Sequence, residues 1–176
     1  MSADAWLPLA LAGLSAWDVQ VSAAVRQAML AGSGAWVWPV AAVSHLGDRW
    51  VIGSLVAGAC LWLAWRGEVL RAVAVGALMS AQGVLVWELK DAAQRARPIG
   101  GAIDPAWVVV NGSSLPSGHA CAALVGLGLL AWVCIRHAAL RGVTRRQVVA
   151  GAVAMTVAVG LSRVLLGVHY PTDVLD

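Results

Sequence analysis

Lys90 and Arg97, then Ser117, Gly118 and His119, then Arg163, His169 and Asp173 form three short polar clusters in an otherwise apolar chain. Their residue types suit phosphate chemistry. A guanidinium offers a planar fork of donors and an ammonium a point charge, and both match a phosphate. The run Leu115-Pro116-Ser117-Gly118-His119 leads into an apolar stretch that reads as a helix. Backbone N–H groups at a helix N-terminus make an anion site, and glycine lets the backbone come close to the anion. Of two histidines, one can attack phosphorus while the other donates a proton to the departing alkoxide. Asp173 follows His169 by one helical turn if that stretch is helical, and a carboxylate there would hold one ring nitrogen protonated and free the other. The cations would offset charge on the transferring phosphoryl oxygens. No cluster reads as a magnesium or zinc cage, and this chemistry calls for neither metal nor cofactor.

Something must carry these clusters to one place. The chain has 176 residues, which suits one compact domain, with 60% hydrophobic and 12% charged residues and a mean hydropathy of +0.78. A soluble domain carries roughly a quarter charged residues, so lipid is the expected solvent. Four apolar runs stand out, at about Trp50–Trp65, Ala72–Trp87, Ala120–Ile135 and Val148–Leu166. A spanning helix needs roughly 20 residues, so each run spans only with its flanks. Trp50, Trp62, Trp65, Trp87 and Trp132 lie near run ends, as an aromatic belt at the membrane interfaces would place them. An earlier stretch, Ala35 to Leu46, is short and interrupted by Pro39, and Gly47-Asp48-Arg49 punctuates its end. Ser15 to Met29 reads as an amphipathic helix with Ser15 as its N-cap, Trp17, Val21, Val25 and Met29 on the apolar side and Asp18, Arg26 and Gln27 on others. It either packs on the bundle or lies in the headgroup layer. The opening residues lack a basic stretch and make a poor signal peptide.

The expected fold is therefore all-α, a polytopic helical membrane bundle (residues 35–176) preceded by an amphipathic N-terminal segment (residues 1–34). Arg66 and Arg71 flank the first link between the long runs, and Arg136, Arg141, Arg145 and Arg146 crowd the third. The positive-inside rule puts both links in the cytoplasm and the long Gly/Pro-rich second link, Asp91 to Leu115, on the other side. In an up-down bundle the end of the second run, the start of the third and the end of the fourth share that non-cytoplasmic face, and these are the ends that carry the polar clusters. The net charge of +3 forms no stripe that would track a nucleic acid backbone. Cys60, Cys121 and Cys134 lie in apolar runs without metal or disulfide spacing and read as core residues.

Lys90-x6-Arg97-Pro98, Pro116-Ser117-Gly118-His119 and Ser162-Arg163-x5-His169-x3-Asp173 together resemble the three signature blocks of the type-2 phosphatidic acid phosphatase family, whose superfamily includes vanadium haloperoxidases. The resemblance implies roles. Lys90, Arg97 and Arg163 would bind phosphate with Ser117 and the Gly118 amide; His169 would be the nucleophile, passing through a phosphohistidine; His119 would be the general acid and then the base that activates water; Asp173 would orient His169. It also implies an integral membrane lipid phosphatase, working without metal on a lipid phosphomonoester or diphosphate such as phosphatidic acid, phosphatidylglycerol phosphate or a polyprenyl diphosphate. The site would face the periplasm or exterior from a bacterial inner membrane. Members usually continue past the equivalent of Asp173 into a final membrane helix, which this sequence lacks after Asp176.

Other polar residues read more simply. Arg95 stands outside the signature and is expected to be solvated or to contact headgroups. His45 and His137 read as structural, and Trp107 as an interface anchor. The rival to an enzyme is a phospholipid-binding or transport protein using the same anion site, or an inactive truncated phosphatase. Binding alone needs only the cations, so the set His119, His169 and Asp173 favours turnover.

Overall fold

The computed structural model describes residues 3–32, 34–98, 112–137 and 142–175. Helix α1 spans Ala3–Leu30, α2 Val37–His45, α3 Arg49–Trp65, α4 Val69–Ala93, α5 Gly118–His137, α6 Arg145–Leu165 and α7 Thr172–Leu175, with no strand among the described residues. The fold is the expected all-α membrane bundle. Four stretches are long and apolar enough to cross a bilayer: Val37–Trp65, in which α2 and α3 are joined by a tight corner, and helices α4, α5 and α6. At 1.5 Å per residue, a helix of 20 residues such as α5 matches the roughly 30 Å hydrocarbon core.

The burial pattern is that of a protein solvated by lipid. Only 11% of the most apolar window of α4 is buried. Leu61, Trp65, Leu70, Val73, Leu85 and Trp87 are exposed on the bundle surface, where water would penalise them and acyl chains would not. Inside, Ile52, Val56 and Leu63 of α3 pack with Ala72 and Val75 of α4 and Val133 of α5. A smaller cluster, Val37, Leu166 and Val168 with Trp36 and Val40, joins α2 to the segment after α6.

Three local readings change. Pro39 does not interrupt a helix: it sits in the first turn of α2, where its missing N–H would have no intrahelical partner anyway. Ser15 is not an N-cap, because α1 begins at Ala3 and runs through it. From residue 16 onward in α1 the buried side chain is Asp18, while Trp17 is exposed. The α6 start is closed by a capping box between Thr144 and Gln147, next to the Arg145-Arg146 pair. Trp107, Arg141 and most of the second link lie outside the described residues.

The parity of the crossings puts the start of α3, the end of α4, the start of α5 and the end of α6 on one face of the bundle. Arg66, Arg71, Arg136, Arg145 and Arg146 belong to the opposite end.

Candidate active site at one end of the bundle

The segment after α6 leaves the helix through a turn at Leu166–Gly167 and re-enters the bundle as the short α7. His169 is therefore not on a helix, and the pairing with Asp173 does not come from a helical turn across the pair. It comes from the turn that starts α7, in which Asp173 N–H donates to the Tyr170 carbonyl at 3.1 Å and Val174 N–H to Pro171 at 3.2 Å. The Asp173 carboxylate closes the same turn by accepting the Tyr170 N–H at 2.8 Å. Its Oδ2 lies 3.3 Å from His169 Nδ1. Gly160 on α6 makes room for this: a Cβ there would come within 2.4 Å of Val174 Cγ1.

The other nitrogen of His169, Nε2, lies 3.4 Å from Arg97 Nη1. Two residues 72 positions apart in sequence thus meet. His169 is 2% exposed, and burial holds its pKa down to about 4, with the hydrogen bond to Asp173 opposing that shift and the charges of Arg163 and Arg97 adding to it. At neutral pH the ring is uncharged. A ring that donates Nδ1–H to Asp173 keeps the Nε2 lone pair for attack.

Of the expected cations, Arg97 contacts this imidazole, Arg163 is close enough for its charge to act on it, and Lys90 shares the Ser113 carbonyl with Arg97. Arg97 also donates to the carbonyls of Val168 at 2.8 Å, Gly112 at 3.1 Å and Ser113 at 3.3 Å, and burial pushes its pKa below the usual guanidinium range. Lys90, in the last turn of α4, donates to the Ser113 carbonyl at 2.6 Å. Arg163, buried at 3% exposure, donates from Nη1 to Ser44 Oγ at 2.6 Å. Ser117 is fully buried and its N–H donates to the Asp173 carbonyl at 2.7 Å, which ties the start of α5 to α7. Ser117 Oγ and Arg163 Nε are buried without a hydrogen-bond partner among the described residues. Buried donors are nearly always satisfied, so each is open to a further partner. Among the described residues, a Cβ on Gly118 would meet only Val86 Cγ1, at 3.8 Å.

The arrangement includes residues that the sequence reading passed over. Arg95 is neither solvated nor free for headgroups. It forks between Asp18 Oδ2 and Asp173 Oδ1, the latter at 2.8 Å, donates to Thr172 Oγ1 at 2.8 Å, and lies over the Tyr170 ring at 4.6 Å. Asp18 also accepts the Thr172 N–H at 3.1 Å and its hydroxyl at 2.5 Å. Helix α1 is thereby bound to the turn that holds Asp173. His119 Nε2 lies 2.7 Å from Asp48 Oδ1 at the start of α3, and Asp48 Oδ2 lies 2.8 Å from His45 Nδ1. His45 thus contacts the carboxylate that holds His119, whereas His137 packs edge-on against Trp62 at the far end, beside Glu68. The parity argument could have flagged Asp48, since the start of α3 shares the site's face; nothing local could have flagged Asp18.

Residues 68–175 match the family model described as the PAP2 superfamily. Phosphatidylglycerophosphatase B of Bacillus subtilis (strain 168) is 38% identical over 88 residues, which cover 49% of this chain and 41% of that relative's length. The crystal structure of a transmembrane PAP2-type phosphatidylglycerolphosphate phosphatase from Bacillus subtilis superposes with a TM-score of 0.81 at 24% identity, covering 93% of this chain and 78% of that one.

Proposed function

The chain belongs to the PAP2 superfamily, and from that premise we propose that it is a membrane phosphatase that hydrolyses a lipid phosphate through a phosphohistidine on His169. The observation that carries the reading is the pairing of His169 with Arg97 on one nitrogen and Asp173 on the other; the buried Ser117 hydroxyl and Arg163 Nε, without partners among the described residues, support it.

In the first step a bond forms between His169 Nε2 and phosphorus. The phosphorus–oxygen bond to the lipid breaks, its electron pair stays on the leaving oxygen, and His119 supplies the proton. In the second step water attacks phosphorus, His119 takes the water's proton, the nitrogen–phosphorus bond breaks, and inorganic phosphate leaves. Lys90, Arg97, Arg163, Ser117 and the Gly118 amide hold the phosphoryl oxygens. No metal enters either step. Phosphatidylglycerol phosphate is the first substrate to try, because the B. subtilis relative is named for it; phosphatidic acid and polyprenyl diphosphates share the reacting group. The arginines at the opposite end of the bundle orient the site toward the outer side of a bacterial inner membrane.

The test is release of inorganic phosphate from detergent-dispersed phosphatidylglycerol phosphate, phosphatidic acid and polyprenyl diphosphate with EDTA present, together with acid-labile labelling of the protein. Wild type should turn over at least one lipid, and His169→Ala should lose both turnover and label. A folded wild-type protein that binds these lipids but releases no phosphate would overturn the reading in favour of a lipid-binding protein.

A further inference from the structure

The corner between α2 and α3 lies outside residues 68–175, the stretch that carries the family match. It nevertheless touches two members of the site. Ser44 Oγ accepts from Arg163 at 2.6 Å, and Asp48 holds His119 at 2.7 Å. The corner is also fitted closely to α6 and the start of α5: a Cβ on Gly47 would lie 2.4 Å from Val159 Cγ1 of α6 and 3.3 Å from the His119 carbonyl of α5. His45 occupies the second Asp48 oxygen at 2.8 Å, so both oxygens are engaged and the plane of the carboxylate is set.

We propose that Asp48 is a positioning residue for His119, the counterpart on the acid side of what Asp173 is to His169. An imidazole can turn about its side-chain bonds, and a proton donor must point at the oxygen it will protonate. Asp48 stops that rotation by binding Nε2, and its negative charge offsets the positive charge of the imidazolium. With Nε2 committed, the proton that moves is the one on Nδ1. It passes to the leaving alkoxide as the His169–phosphorus bond forms and the phosphorus–oxygen bond breaks. Asp48 itself neither gains nor loses a proton.

This inference rests on the phosphatase reading, and two substrates separate their failures. An alkoxide leaves only with a proton, whereas p-nitrophenolate leaves without one. In the protein in detergent, the rapid first release of the leaving group from whichever of the three lipids the wild type turns over and of p-nitrophenolate from p-nitrophenyl phosphate should be measured in the same preparation. Asp48→Asn should slow the lipid reaction by about 10- to 100-fold, part of the roughly 10²–10⁴ that a positioned acid contributes. It should slow p-nitrophenolate release less than about threefold by the same reasoning. His119→Ala should show the same selectivity more strongly, and Asp48→Glu should restore part of the lipid rate. The ratio between substrates is independent of how much protein is folded. Equal losses on both substrates, or an undiminished lipid rate, would overturn the role of Asp48 while leaving the phosphatase standing. A wild-type protein inactive on p-nitrophenyl phosphate and on all three lipids would remove both.

Discussion

His169 and His119 are each held by a carboxylate, but in unlike surroundings. The side chains of His169 and Asp173 are 3% and 0% exposed, and those of His119 and Asp48 are 26% and 34% exposed. Asp173 is gripped by the Tyr170 N–H and by Arg95, which Asp18 of α1 holds in turn, so several elements meet at one carboxylate. Asp48 has the exposed His45 as its second partner. The contrast fits the two tasks proposed for these histidines, nucleophile and acid. A nucleophile must keep its lone pair aimed at phosphorus, and water beside it would compete. An acid that becomes a base must be aimed at the leaving oxygen and also be open to substrate and water, and a partly exposed carboxylate pair allows both.

The contrast is tested most severely at Arg95. Arg95→Ala would leave Asp18 and Asp173 buried without their cation, and removing one partner of a buried pair costs about 3–5 kcal/mol. Thermal unfolding in detergent should show that loss, and activity per folded molecule should fall on lipid and nitrophenyl substrates alike. Adding Asp18→Asn should recover part of the stability, giving a double-mutant coupling that an exposed pair would lack. A variant with full activity per folded molecule would break the link between α1 and the nucleophile.

A smaller effect is expected at Gly160. Gly160→Ala forces a methyl group against Val174, and overpacking costs typically about 1–3 kcal/mol. The displaced turn should lower turnover on both substrates, and Val174→Ala added to it should restore turnover.

The pH dependence offers a gentler probe. The His169 pKa is held at about 4, below the ordinary value of 6.5. The unfolded chain therefore takes up this proton first on acidification. The stability gained from burying the neutral ring is complete above pH 6.5 and is lost as pH falls through about 4. The acid limb of kcat/KM contributed by His169 should lie near 4, and Arg97→Gln should move it upward, because the Arg97 charge helps hold the pKa down. A limb that stays in place would mean that Arg97 does not face the ring in the free enzyme.

The smallest change is expected at His45. Its pair with Asp48 is 54% exposed on the histidine side, and exposed pairs contribute less than about 1 kcal/mol. His45→Ala should shift the unfolding midpoint far less than Arg95→Ala. A comparable shift would erase the distinction between the two sides of the site.

Much of this was readable along the chain. The apolar runs mark the crossings, and their parity alone brings Lys90, His119 and His169 to one face. Pro39 was misread because a proline looks the same in a first turn as in a helix interior, while only the interior position loses a hydrogen bond. Arg95 was misread because its partner Asp18 is 77 residues away on a helix whose apolar ladder pointed elsewhere. The His169–Asp173 spacing suggested a helical turn, and a tighter loop produces the same closeness by another route.

The sequence by itself determined where the chain crosses the bilayer and which ends gather on one side. Transfer of apolar side chains into lipid is a local, additive property of each run, and alternation of direction follows from counting. Only the tertiary structure decided which acids answer which bases. Asp18 with Arg95 and Asp48 with His119 are pairings across the packed corners of the bundle, and the strength of a charge pair depends on a separation in space that the order of residues does not contain.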